Sequence, residues 1–183
     1  GAVYALENAT SGDPSRVKVH RYAAGLAEPL GLVVWKDRVF VVQKQELTEL
    51  VDLDKDGTCD EYRAVCSAWD GSTHFHAIAI DPGGKSTRPQ VPGRGSVLKV
   101  DPDTGRYEVV AHGLRTPNGI GLGPDGAILI TDNQGDWLPS SKLLRLQTGA
   151  FFGSRAVLEE RAADLEVTPP VAWLPQNDIG NSP

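Results

Sequence analysis

At 183 residues the chain is long enough for one ordinary core and too short for two comfortable ones. Its 18 Lys and Arg against 24 Asp and Glu, a formal charge of −6, leave no positive field for a polyanion to follow, which excludes nucleic acid as an expected partner. No apolar run approaches the roughly 20 residues a bilayer demands, and Gly1-Ala2-Val3-Tyr4 lacks the basic-then-apolar pattern of an export leader, so the chain as given is expected to be soluble without a membrane span. With 40 % apolar residues, 20 Gly and 13 Pro, the composition favours many short strands separated by turns.

The first recognisable pattern is Gly25-Leu26-Ala27-Glu28-Pro29-Leu30-Gly31-Leu32, which has the form G-L-x-x-P-x-G-aliphatic. Next, Arg38-Val39-Phe40-Val41-Val42 is a β-branched run suited to a central strand, and Thr48-Glu49-Leu50-Val51-Asp52 reads as its neighbour. There follows Asp52-Leu53-Asp54-Lys55-Asp56-Gly57-Thr58-Cys59-Asp60, a D-x-D-x-D-G-x-x-D loop whose alternate carboxylates converge on a hard cation while Gly permits the bend. Asp52, Asp54, Asp56 and Asp60 are therefore candidate calcium ligands. The twelfth position, usually a bidentate Glu, is Arg63, so the alternative is a solvated Asp-rich turn. Cys59 and Cys66 allow either one disulfide or two thiols, because sequence does not set the distance between their Cα atoms.

Thr73-His74-Phe75-His76 puts two histidines at i and i+2, on one face of a strand, where they serve either as structural hydrogen-bonders or as a site containing a general base. His76 also opens the alternating run His76-Ala77-Ile78-Ala79-Ile80 into the turn Asp81-Pro82-Gly83-Gly84. After it, 85–95 is polar and Pro-rich where a further strand is due, so a loop is expected there. Ser96 to Asp101 resumes as a strand. Gly113-Leu114-Arg115-Thr116-Pro117-Asn118-Gly119-Ile120 then repeats the first pattern 88 residues on, two periods of about 44. A Gly123-Pro124-Asp125-Gly126 turn leads into Ala127-Ile128-Leu129-Ile130-Thr131, and Asp132-Asn133-Gln134-Gly135-Asp136-Trp137 closes that strand. Ser141 to Leu146 is the next strand, Ser154 to Asp164 reads as a short helix, and Pro170-Val171-Ala172-Trp173-Leu174-Pro175 is a last apolar patch.

Three copies of a strand-rich unit at one period predict an all-β chain built of propeller blades, the alternative being a β-sandwich with similar hairpins. The units run roughly 17–60, 61–105, 106–150 and 151–183, the last incomplete, making one partial propeller of about four blades or fewer. The period places Arg115 and the Asn133 to Asp136 turn at the same end of a blade. There a guanidinium fork and outward carbonyls suit a polycarboxylate cofactor held with a divalent cation. Taken singly, the Arg also reads as a turn cap and the turn as an ordinary Asx-rich loop.

Residues 113–126, the run Ile130 to Trp137 and Gly149-Ala150-Phe151-Phe152-Gly153 resemble the glucose/sorbosone dehydrogenase family of six-bladed propellers. The Glu28 to Leu32 segment, the Asp-rich loop, and Trp173-Leu174-Pro175 with Ile179 to Pro183 are similar to dehydrogenase-like propeller domains of large bacterial proteins that also carry a haem domain. The resemblance implies pyrroloquinoline quinone (PQQ) and Ca2+, oxidation of a sugar or polyol, a cytochrome as electron acceptor, and a periplasmic or extracellular setting. It implies His76 as the base taking the hydroxyl proton, with Arg115 holding the quinone oxygens and stabilising their charge. Thr116, Asn118, Asn133 and Gln134 would line the cofactor, and Gln134, Gly135 and Asp136 would hold its calcium. Thr116 stands where studied members have an amide, Asn118 replaces a glutamine, and no glycine follows His76. A non-catalytic propeller scaffold binding carbohydrate or protein is the alternative function.

Overall fold

The computed structural model describes residues 1–44, 46–67, 95–135, 138–155 and 164–179. Two compact units divide the chain: Gly1–Ser72 with Asp101–Arg106, and Thr73–Val100 with Tyr107–Pro183. Every sheet is antiparallel, and among the described residues the one α-helix is the single turn α1, Gln176–Ile179.

In the first unit, β1 (Ala2–Glu7) and β2 (Lys18–Ala24) form a ribbon, with a bulge at Val3/Tyr4. Asp13 ends their connection by accepting the Ser15 amide at 3.0 Å, capping the 3-10 turn Pro14–Arg16. A four-stranded meander follows: β3 (Gly31–Trp35), β4 (Arg38–Val42), β5 (Leu47–Val51) and β6 (Glu61–Cys66), each bonded to the next in chain order. Lys36 and Asp37, both at positive φ (48° and 61°), make the two-residue turn from β3 to β4. Alternation sorts the faces. Val39 and Val41 meet Ala23, Leu26 and Leu50 in the core, while Arg38 and Phe40 take the other face.

On that face the Arg38 guanidinium forks onto Glu49, Nε to Oε1 at 2.7 Å and Nη2 to Oε2 at 3.0 Å, and Nη1 reaches Asp103 at 2.6 Å. Arg38 holds the Glu49 carboxyl below its ordinary 4.5. The native state therefore binds fewer protons there than the unfolded chain, so this contribution is complete above about pH 4.5 and is lost as pH falls through the lowered value. Arg38→Leu is expected to lower the urea midpoint more than Lys99→Leu, whose pair with Glu108 is 75 % and 65 % exposed. Denaturation at neutral pH and below pH 4 checks both parts, since the gap between Arg38→Leu and the parent closes in acid.

The second unit pairs β7 (Val97–Val100) with β8 (Tyr107–Ala111) and carries another meander: β9 (Pro117–Leu122), β10 (Ile128–Asp132), β11 (Ser141–Arg145) and β12 (Ala172–Leu174). Ala111, Leu114, Ile130, Leu144, Ala150 and Phe152 are its core. The two four-stranded meanders, with the β7–β8 ribbon between them in the chain, have the blade form expected of a propeller, and the chain is all-β as its composition implied.

The sequence repeat is a structural one. Gly25 and Gly113 sit at φ 78° and 79°, a left-handed conformation that favours glycine, and each hands the chain to a buried leucine, Leu26 or Leu114. Each leucine joins its own unit's core just before the first strand of a meander. The middle copy of the repeat, all but the last residue of the expected loop at 85–95 and most of the helix expected at Ser154 to Asp164 lie outside the described residues.

Candidate functional site

β10 ends on Asp132, where the register with β9 shifts by one residue so that Thr131 faces Gly119 and Asp132 faces Pro117. Its carboxylate is fully buried. Oδ1 accepts the backbone amides of Arg115 at 3.1 Å and Thr116 at 2.8 Å, and Oδ2 also accepts from Arg115 at 3.1 Å. Directly across the sheet stands Lys142, the largest fully buried side chain, its Nζ 3.5 Å from Oδ2 and donating to the Phe152 carbonyl at 2.6 Å. Burial pushes the Asp132 carboxyl up and the Lys142 ammonium down, and the attraction between them opposes both shifts.

The backbone held by Asp132 presents Arg115. Its side chain lies against Gly135 so closely that a Cβ there would fall 1.7 Å from Arg115 Nε. Arg115 Nε and Thr116 Oγ1 are both buried without a hydrogen-bond partner among the described residues, and Thr116 is only 5 % exposed. Buried polar atoms are seldom left so, and a guanidinium N–H and a hydroxyl are each groups that an oxygen-rich guest can satisfy. Asn133 N donates to the Thr116 carbonyl at 3.4 Å, and Asn118 Nδ2 reaches Asn133 Oδ1 at 3.4 Å. Gln134 N donates to Ser141 Oγ at 3.3 Å.

Arg115, Thr116, Asn118, Asn133, Gln134 and Gly135 thus gather at one end of the second meander, as the period implied. The Gly135 carbonyl is less open than expected, since it accepts the Leu138 amide at 2.8 Å and has one lone pair left. Asp136, His74 and His76 lie outside the described residues. Sequence reasoning passed over Asp132 and Lys142. The available signal was a lysine interrupting the apolar Ser141-Lys142-Leu143-Leu144 strand.

In the first unit the Asp-rich loop brings carboxylate oxygens of Asp52, Asp54 and Asp60 within 4.8 Å of one another, a spread that Ca–O distances of about 2.3–2.6 Å can bridge. Asp52 Oδ2 accepts the Gly57 amide at 2.9 Å while Oδ1 is buried and unpartnered among the described residues, which fits a cation. Asp56 instead accepts the Thr58 amide at 2.7 Å. The loop is fastened to β2 by His20 Nε2 to the Gly57 carbonyl at 3.0 Å and by the Cys59 amide to the Tyr22 carbonyl at 2.8 Å. Cys59 and Cys66 are both free thiols, which decides between the two readings of the pair. Burial raises the Cys59 thiol above its ordinary 9.0 and keeps it protonated near neutrality.

No family model matches the chain, and no curated protein matches it. Among solved structures it is similar to the holo form of the pyranose dehydrogenase PQQ domain from Coprinopsis cinerea, at 17 % identity and a TM-score of 0.36. The match covers 72 % of this chain, which spans 55 % of the length of that one.

Proposed function

We propose that the chain is part of a dehydrogenase-like propeller that binds PQQ with Ca2+ at the Arg115 end of its second meander and oxidises a sugar or other polyol. The observation that carries this is Arg115 seated on Gly135, its Nε and the hydroxyl of the next residue, Thr116, both buried and unpartnered among the described residues. A guanidinium fork with an adjacent hydroxyl suits the carboxylates and carbonyl oxygens of a planar polyacid. Arg115, Thr116, Asn118, Asn133 and Gln134 would hold it, with calcium on the carbonyls of Gln134 and Gly135 and on Asp136. When bound, the quinone supplies the acceptor for an electron pair and hydrogen leaving a hydroxyl-bearing carbon. His76 would take the hydroxyl proton, which an imidazole with an ordinary value near 6.5 can do at neutral pH. Arg115 would stabilise negative charge as it develops. The Asp52, Asp54 and Asp60 cluster would hold a second calcium ion that braces its loop, and a cytochrome would carry electrons away.

The test is a titration of cofactor-free protein with PQQ and calcium chloride, followed by bound-quinone absorbance and by dye reduction with an aldose. Binding is expected, with Arg115→Ala weakening it at least tenfold, an interaction of about 1.5–3 kcal/mol for a hydrogen bond to a charged group. His76→Ala should bind the quinone and lose turnover. Absence of both binding and dye reduction would leave the scaffold reading in its place.

A further inference from the structure

The first two strands of the meanders are copies in register, Gly31 facing Val42 as Gly119 faces Thr131, so a position in one has a counterpart in the other that acts as an internal control. Val41 and Ile130 are the core residues of the second strands, and Leu50 and Leu144 those of the third. Two residues beyond the first pair stand Gln43 and Asp132; in the third strands Thr48 faces Val41, whereas Lys142 faces Asp132 itself. Gln43 and Asp132 do the same job in two chemistries, each accepting the amide two places after the repeat's leading glycine.

In the first unit Gln43 Oε1 accepts the amide of Ala27 at 2.6 Å, and Gln43 Nε2 donates to the buried Thr48 hydroxyl at 2.7 Å. Thr48 in turn donates to Oε1 of the half-buried Glu46 at 2.6 Å, so here a neutral amide holds the backbone and the charge behind it stays partly in solvent. In the second unit Asp132 accepts the amide of Arg115, the counterpart of Ala27, and takes Thr116 as well, with buried Lys142 behind it. Burying two charges costs more than burying an amide and a hydroxyl, and similar volumes without charge usually serve stability as well or better. The costlier pair occurs where the held residue has a side chain to aim. Ala27 has none.

We infer that Asp132, backed by Lys142, is a positioning residue that fixes the backbone at Arg115 and Thr116 and thereby seats the Arg115 guanidinium on Gly135 for its anionic ligand. Three acceptor contacts to two consecutive amides remove the freedom of that dipeptide. Lys142 holds the carboxylate from behind and is itself fixed by the Phe152 carbonyl, so the chain of contacts runs from the core outward to the ligand-facing side chain. The quinone as ligand rests on the function proposed above; the positioning does not.

The experiment replaces the charged pair by an amide and a hydroxyl, as Asp132→Gln with Lys142→Thr, with the near-isosteric Asp132→Asn as a second variant should the double variant not fold. Two measurements are made on the full chain. Amide hydrogen exchange at Arg115 and Thr116 should accelerate tenfold or more while Leu144 stays protected. PQQ affinity in the presence of calcium chloride should fall about tenfold, and in an Arg115→Ala background the same changes should cause no further loss. Unchanged exchange at Arg115 and Thr116, or a loss that adds in full to that of Arg115→Ala, would overturn the inference. A parent that binds no quinone defeats the proposed function alone, and the exchange measurement still decides the positioning role.

Discussion

Lys142→Met is expected to destabilise the protein by about 3–5 kcal/mol, the usual cost of removing one partner from a buried ion pair. The methionine fills the space of the lysine stem, so little of the loss comes from a cavity. It comes from leaving the Asp132 carboxylate at 0 % exposure with only the amides of Arg115 and Thr116 for company. The pH dependence identifies the cause. Burial already raises the Asp132 carboxyl above its ordinary 3.8. Between that value and the raised one the native state binds more protons than the unfolded chain, so stability falls as pH rises through the interval and recovers on its acid side. Without the ammonium the interval widens upward. The deficit of Lys142→Met, read from urea midpoints, should thus be largest near neutrality and shrink toward about pH 5. A deficit equal at both would mean that the carboxyl is not ionised in the native state.

Phe152→Ala should cost a similar amount, about 3–5 kcal/mol, for a different reason. Its ring is 1 % exposed among Ala111, Leu114, Ile130, Leu144 and Ala150, and truncation leaves a void that this set of small and branched neighbours fills poorly. A domain's whole stability is about 5–15 kcal/mol, so thermal unfolding should move down by many degrees. Phe152→Leu, which keeps most of the volume, should lose much less. If the two variants melted together, the ring would not be packed as described.

The strands were legible because their signals are local. Arg38 to Val42 forms β4 with the bounds its β-branched run predicts, and Ser141 opens β11 as expected. The glycine-leucine repeat was legible for the same reason: a left-handed turn and one buried apolar residue need only neighbours in the chain. The gathering of Arg115, Asn118 and Asn133 followed from the period, since one hairpin returns a strand beside its predecessor. The Asp132 and Lys142 pair could not be read this way. Whether two charges ten residues apart face each other depends on which residue of β10 meets which of β11, a register set by the length of the connection between them. The cysteine question was of this kind too, being a matter of distance between strand positions rather than of residue type.

One strand of the first meander has an unusual consequence for how the chain finds its pairing. Leu32, Val33, Val34 and Trp35 are all apolar and between 41 % and 61 % exposed, so neither side of β3 is marked as inner or outer. Sliding it by one place against β4 would exchange one aliphatic group for another at almost no cost in burial, and hydrophobicity by itself cannot choose the correct alignment. What chooses is Lys36-Asp37, two adjacent residues in the left-handed region, which close the hairpin at one length only. The alignment of this blade is dictated by its corner rather than by its sides.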